Sequence, residues 1–95
     1  MKLNNKDKTK LRKLANSLRP FVIIGKDGLD YNIINTLEDN LKAQELVKVS
    51  ILKSCKVSLE EAIDYCTSYT NSNLVHKIGR TFVLYKRSKE NKLKL

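Results

Sequence analysis

Gly25-Lys26-Asp27-Gly28 places two glycines three positions apart with a cation between them, directly after the apolar run Phe21-Val22-Ile23-Ile24. A loop that leaves a strand and opens a helix presents unpaired N–H groups and the positive end of the helix dipole, which suit phosphate oxygens. Lys26 adds a charge of the right sign. The segment is not a nucleotide P-loop, which needs four residues between its glycines and then Lys-Ser/Thr. A plain strand-to-helix turn would use the same glycines, so the surrounding residues have to decide.

Other chemistry-bearing side chains lead to little. Asp27 and Asp30 fall at a turn and at a helix start, jobs these residues commonly do. His76 is a strand residue without an acid or nucleophile at a telling spacing. Glu60 and Glu61 are accounted for by the start of a helix. Cys55 and Cys66, the only cysteines, lie eleven apart, form no CxxC and with one histidine complete no zinc set. The expectation is reduced structural thiols, no metal, no cofactor, no catalytic residue and no small-molecule substrate.

Charge is more informative. The chain carries 19 Lys+Arg against 10 Asp+Glu, a formal net charge of +9. Residues 1–20 hold seven basic and one acidic side chain, and residues 71–95 again hold seven and one, so each end carries +6. Residues 21–45 carry −3 and residues 46–70 balance. Two basic ends that meet in space make one footprint for a polyanion. Lys8, Arg12 and Lys13 at one end, with Arg80, Lys86 and Arg87 at the other, are its expected members. Solvated ends that only aid solubility are the plainer alternative. A protein-docking module for an acidic partner is another.

The elements that must position these groups follow from periodicity. Leu11, Leu14, Ala15 and Leu18 recur at helical spacing behind Asn4 or Asn5, and Arg19-Pro20 stops that helix. Phe21–Ile24 is a short strand without alternation, which points to burial on both faces. Asp30 caps a helix carrying Ile33, Ile34, Leu37 and Leu41. Val47, Val49 and Ile51 alternate with Lys48 and Ser50 in a second strand. Ser58-Leu59-Glu60-Glu61 reads as a capping box opening a third helix through Leu59, Ala62, Ile63, Cys66 and Tyr69. Leu74–Ile78 and Thr81–Tyr85 form a hairpin around Gly79-Arg80, with Phe82 and Tyr85 on opposite faces and both packed. The order α-β-α-β-α-β-β predicts an α/β two-layer sandwich on a mixed four-stranded sheet. One domain spans 1–87, followed by a charged, frayed tail over 88–95. No apolar run is long enough to span a membrane and no signal peptide is visible, so a cytoplasmic protein is the default.

Leu11-Arg12-Lys13-Leu14-Ala15, Pro20, Ile24-Gly25-Lys26-Asp27-Gly28-Leu29, Glu45-Leu46-Val47-Lys48-Val49 and Ile78-Gly79-Arg80-Thr81-Phe82-Val83-Leu84-Tyr85 stand in an order and spacing that resembles the bacterial YhbY-type proteins. These are stand-alone versions of the CRM domain, and the resemblance covers nearly the whole chain. It implies a fold like the C-terminal domain of translation initiation factor three. It also implies RNA binding, in bacteria on precursors of the large ribosomal subunit. RNA would then face Gly25, Lys26, Asp27 and Gly28, with basic residues near them. Asp27 stands where the family usually has a neutral or small residue, Asn16 where a histidine is usual, and Leu3-Asn4-Asn5 replaces a Leu-Thr-Gly entry. Asp27 should weaken phosphate attraction.

Overall fold

Short polar side chains open all three helices. In the computed structural model, which describes residues 3–93, Asn4, Asp30 and Ser58 each accept from the N–H three residues on, at 2.8, 2.9 and 3.1 Å. The helices are α1 (Asn5–Ala15), α2 (Tyr31–Gln44) and α3 (Leu59–Thr70). The strands are β1 (Val22–Ile24), β2 (Leu46–Ile51), β3 (Asn73–Ile78) and β4 (Thr81–Tyr85), so the order α-β-α-β-α-β-β stands. The sheet runs β1-β2-β4-β3; β1 is parallel to β2, while β4 is antiparallel to both its neighbours.

Alternation along β2 and β4 divides the apolar residues between two faces. Val47, Val49, Phe82 and Leu84 point into one core with Leu37 and Leu41 of α2 and Ala62, Ile63 and Cys66 of α3. Leu46, Val83 and Tyr85 point the other way, into a second core with Val75, Leu11 and Ala15. Phe82 and Tyr85 are therefore both packed, on opposite faces. The helices do not all share one layer, as a two-layer sandwich implies. α1 lies alone on the face opposite α2 and α3, because its apolar stripe has Leu46, Val83 and Tyr85 to cover.

Two local expectations also change. β1 is an edge strand with one buried face: Val22 and Ile24 are buried but Ile23 is 54% exposed. A four-residue apolar run without alternation carries no sign of which face is covered. α1 stops at Ala15, short of Pro20, because the last carbonyls find nearer partners. Leu18 N–H donates to Ala15, and the Ser17 N–H and hydroxyl both reach the Leu14 carbonyl.

Residues 88–93, read from the sequence as part of a frayed tail, are gathered by Glu45. Its buried carboxylate accepts from the backbone N–H groups of Ser88 and Leu93, at 2.8 and 3.0 Å, and from the Ser88 hydroxyl. The Glu45 carbonyl accepts from Lys86 N–H, and Lys92 Nζ donates to the Ala43 carbonyl. Lys94 and Leu95 lie outside the described residues. Cys55 and Cys66 are free and buried, and burial pushes the Cys66 thiol up to about 11. The native protein should therefore resist thiol-specific reagents at neutral pH, because Cys66 exposes no thiolate and Cys55 is covered. Mass spectrometry should find labelling only after denaturant is added; prompt modification of the folded protein would contradict this packing.

Candidate nucleic-acid interface

One end of the sheet is built from three turns. β1 runs into Gly25–Gly28, β2 runs into the segment 52–58, and Gly79-Arg80 joins β3 to β4. Backbone bonds tie them together: Leu52 N–H donates to Ile24 at 2.9 Å, and Ile51 N–H donates to Arg80 at 2.8 Å. Positive φ at Gly79, without one at Arg80, suits the II′ hairpin.

Gly25–Gly28 is closed by a bond from Gly28 N–H to the Gly25 carbonyl at 3.0 Å, which puts Lys26 and Asp27 at the exposed corner. The two glycines differ in what the fold asks of them. Gly28 has φ +75°, a left-handed conformation that favours glycine, and a methyl there would sit 3.4 Å from Val57 Cγ2. Gly25 lies outside that range, and a methyl on it would make only an ordinary contact, 3.7 Å from Leu52 Cδ1. The turn needs the second glycine but not the first.

The segment under this loop brings two cations that sequence reasoning missed. Lys53 and Lys56 are exposed between Leu52 and Val57, whose side chains approach Gly25 and Gly28. Their signal was a pair of lysines three apart after a strand, which has no meaning until the parallel pairing of β1 and β2 sets the two loops side by side. Lys77 pairs with Glu60 of α3 at 3.4 Å, an exposed contact worth little.

Of the other expected site residues, Arg80 joins this end, while Lys86 and Arg87 do not. Arg80 Nε and Nη2 donate to the Ile51 and Leu52 carbonyls at 3.1 and 2.9 Å, so part of the guanidinium finishes the end of β2. Strand spacing puts Arg80 about 10 Å from the end of β1. Lys86 and Arg87 follow the opposite end of β4, roughly 17 Å away along the strand. Both already have structural work. Lys86 Nζ donates to the Thr70 carbonyl at 2.8 Å. Arg87 lies beside the Tyr85 phenol, where burial raises the Tyr85 pKa and Arg87 works against the rise.

Lys8 is half-buried on α1, with Arg12 and Lys13 exposed beyond it. The two basic ends of the chain do meet, since Lys10 Nζ donates to the Leu93 carbonyl at 3.0 Å. The ten expected residues nonetheless do not form one patch. Gly25–Gly28 and Arg80 share the loop end, while Lys86 and Arg87 sit at the other.

This arrangement can hold an extended anion against backbone and lysine, and it brings no general acid, base and nucleophile together. Comparison with known proteins gives it a setting. The family model for the CRS1 / YhbY (CRM) domain matches residues 3–86. The chain is 41% identical over 90 residues to the Bacillus subtilis protein named "Probable RNA-binding protein YqeI", covering 95% of this chain and 94% of that one. It is 32% identical to a Haemophilus influenzae protein named "RNA-binding protein", covering 98% and 94%. The solution structure of SAV1595 from Staphylococcus aureus superposes with a TM-score of 0.81 at 38% identity, over 97% of this chain and 96% of that one. The family model spans nearly the whole described chain, and the chain belongs to the CRS1 / YhbY (CRM) domain family.

Proposed function

We propose that this chain is a non-enzymatic RNA-binding protein that grips the RNA backbone with its loop end, and that it acts on ribosomal RNA during maturation of the large subunit. Gly25 carries the reading. A residue that the fold would let carry a side chain is glycine beside the exposed Lys26, in a loop that opens a helix, where close approach to phosphate would need it. Net charge of +9 supplies the long-range attraction. The printed names of the Bacillus and Haemophilus relatives support RNA as the partner. The ribosomal target rests on the family resemblance.

Titration with RNA at two salt concentrations tests the grip. Lys26→Ala should lower the salt slope by about 0.7 for single-stranded RNA, the loss of one phosphate contact. Its melting temperature should barely move, because Lys26 is exposed at a turn corner. Asp27→Asn should tighten binding by removing a repelled charge while keeping a turn-competent residue. Weaker binding by Asp27→Asn, or unchanged binding by Lys26→Ala, would refute the phosphate grip. Crosslinking in cells followed by sequencing tests the target separately: recovery of mainly messenger RNA, without ribosomal enrichment, would refute the maturation role.

A further inference from the structure

α1 covers only part of its face of the sheet. Strand register sets Ile23, Ser50, Thr81 and Ile78 in one cross-strand row, each the direct partner of the next. Val49 and Phe82 beside them point into the core with α2 and α3, so the row points to the α1 side. Among the described residues its ends stay exposed: Ile23 is 54% and Ile78 69% exposed, while Ser50 and Thr81 between them are half-buried. Phe21, just before β1, is 47% exposed as well. The row spans four strands, about 14 Å.

This strip borders the loop end directly. Only Ile24 separates Ile23 from Gly25, and Gly79-Arg80 joins Ile78 to Thr81. We propose that the strip receives the bases of an unpaired RNA segment whose phosphates are held at the loop end. This rests on the RNA-binding reading and adds where the bases go and that they are unpaired. Isoleucine side chains offer apolar contact to base faces. The Ser50 and Thr81 hydroxyls, at the centre, can bond base edges or a 2′-hydroxyl. A paired helix would keep its bases stacked inside and could not use such a surface.

Charge and size favour this occupant over a second copy of the chain. Lys26 and Arg80 stand at the border of the strip, and two chains of +9 brought face to face would repel. Three exposed apolar side chains also fall well short of the roughly 800 Å² per partner that a stable interface buries.

The test pairs a short mixed-sequence single-stranded RNA with a fully paired RNA duplex, titrated at one salt concentration against the wild type, Lys26→Ala and the double variant Ile23→Thr/Ile78→Thr. Threonine keeps the β-branched shape that strands favour, so the sheet should persist, and melting curves check it. The double variant should bind the single strand about tenfold more weakly, the order of one lost base contact, and the duplex as the wild type does. In the wild type, single-stranded RNA should also shift the backbone amide resonances of Ile23, Ser50, Thr81 and Ile78. If Lys26→Ala weakens single-strand binding and the double variant does not, the strip is overturned and the RNA reading survives. Equal losses on both probes, or resonance shifts confined to residues 25–28, overturn it as well. A wild-type dimer in sedimentation that the double variant breaks would assign the strip to a second copy. Wild type that binds neither RNA would sink the RNA reading itself.

Discussion

Glu45→Ala should lower the unfolding free energy by about 3 kcal/mol, the largest stability loss expected from any single polar side chain here. Glu45 is fully buried and carries three hydrogen bonds to the tail, from Ser88 N–H, the Ser88 hydroxyl and Leu93 N–H. Alanine leaves those donors without their acceptor and frees residues 88–93 from the body. For a domain of this size the melting temperature should fall by roughly 15 °C. Glu45 also has φ 64°, so its backbone conformation is uncommon for a residue with a side chain. Glu45→Gly should relieve that strain but still be less stable than the wild type, since the anchor is the larger quantity.

The same carboxylate predicts a pH dependence. Burial alone raises its pKa, but the hydrogen bonds from Ser88, Leu93 and Lys92 outweigh burial and the net shift is downward. A carboxyl with a lowered folded-state pKa binds its proton less readily folded than unfolded. Its contribution is therefore full above the ordinary glutamate pKa, about 4.3, and is lost as pH falls through that value and on through the folded one. Glu45→Gln keeps one acceptor and loses this titration, so the gap between it and the wild type should be wide at pH 7 and narrow near pH 3. Urea unfolding at both pH values measures this. A gap that stayed constant would mean that Glu45 acts by packing alone.

Glu45 also marks where sequence reading stops. Periodicity and caps place every helix and strand, because they depend on neighbours within one turn or one pleat. Asp30 before Ile33 and Ser58 before Glu61 are examples. Glu45 instead works through partners more than forty residues away, and a lone glutamate before a strand looks like any surface acid. The layering was hidden for the same reason. Leu11 and Ala15 declare an apolar stripe, but only the outward turn of Leu46, Val83 and Tyr85 decides which side of the sheet it covers. At the site, the loop motif is local and was legible. Its neighbours Lys53 and Lys56 came from strand pairing, and the separation of Arg80 from Lys86 and Arg87 came from their lying at opposite ends of β4. Charge summed over a segment cannot tell the two ends of a strand apart.

The two glycines should part company when each is replaced by alanine. Gly28→Ala forces a side chain into φ +75°, close to Val57, and should cost about 1–2 kcal/mol of stability. Gly25→Ala meets neither obstacle, since its methyl has an ordinary contact to Leu52. With fewer unfolded conformations to lose, it should hold or slightly raise the melting temperature, by the equivalent of about 0.5 kcal/mol. Its effect should appear in RNA affinity. A hydrogen bond from a backbone N–H needs its phosphate oxygen within about 3 Å, and a methyl group on the approaching surface holds that oxygen off. Losing one such bond to a charged acceptor should weaken binding by roughly tenfold. Melting curves and titrations on the same two samples separate the possibilities. A phosphate-facing loop gives Gly25→Ala normal stability with poor binding. If Gly25→Ala binds RNA as tightly as the wild type, the first glycine has no ligand to admit, and the RNA contacts must be sought elsewhere on the basic surface.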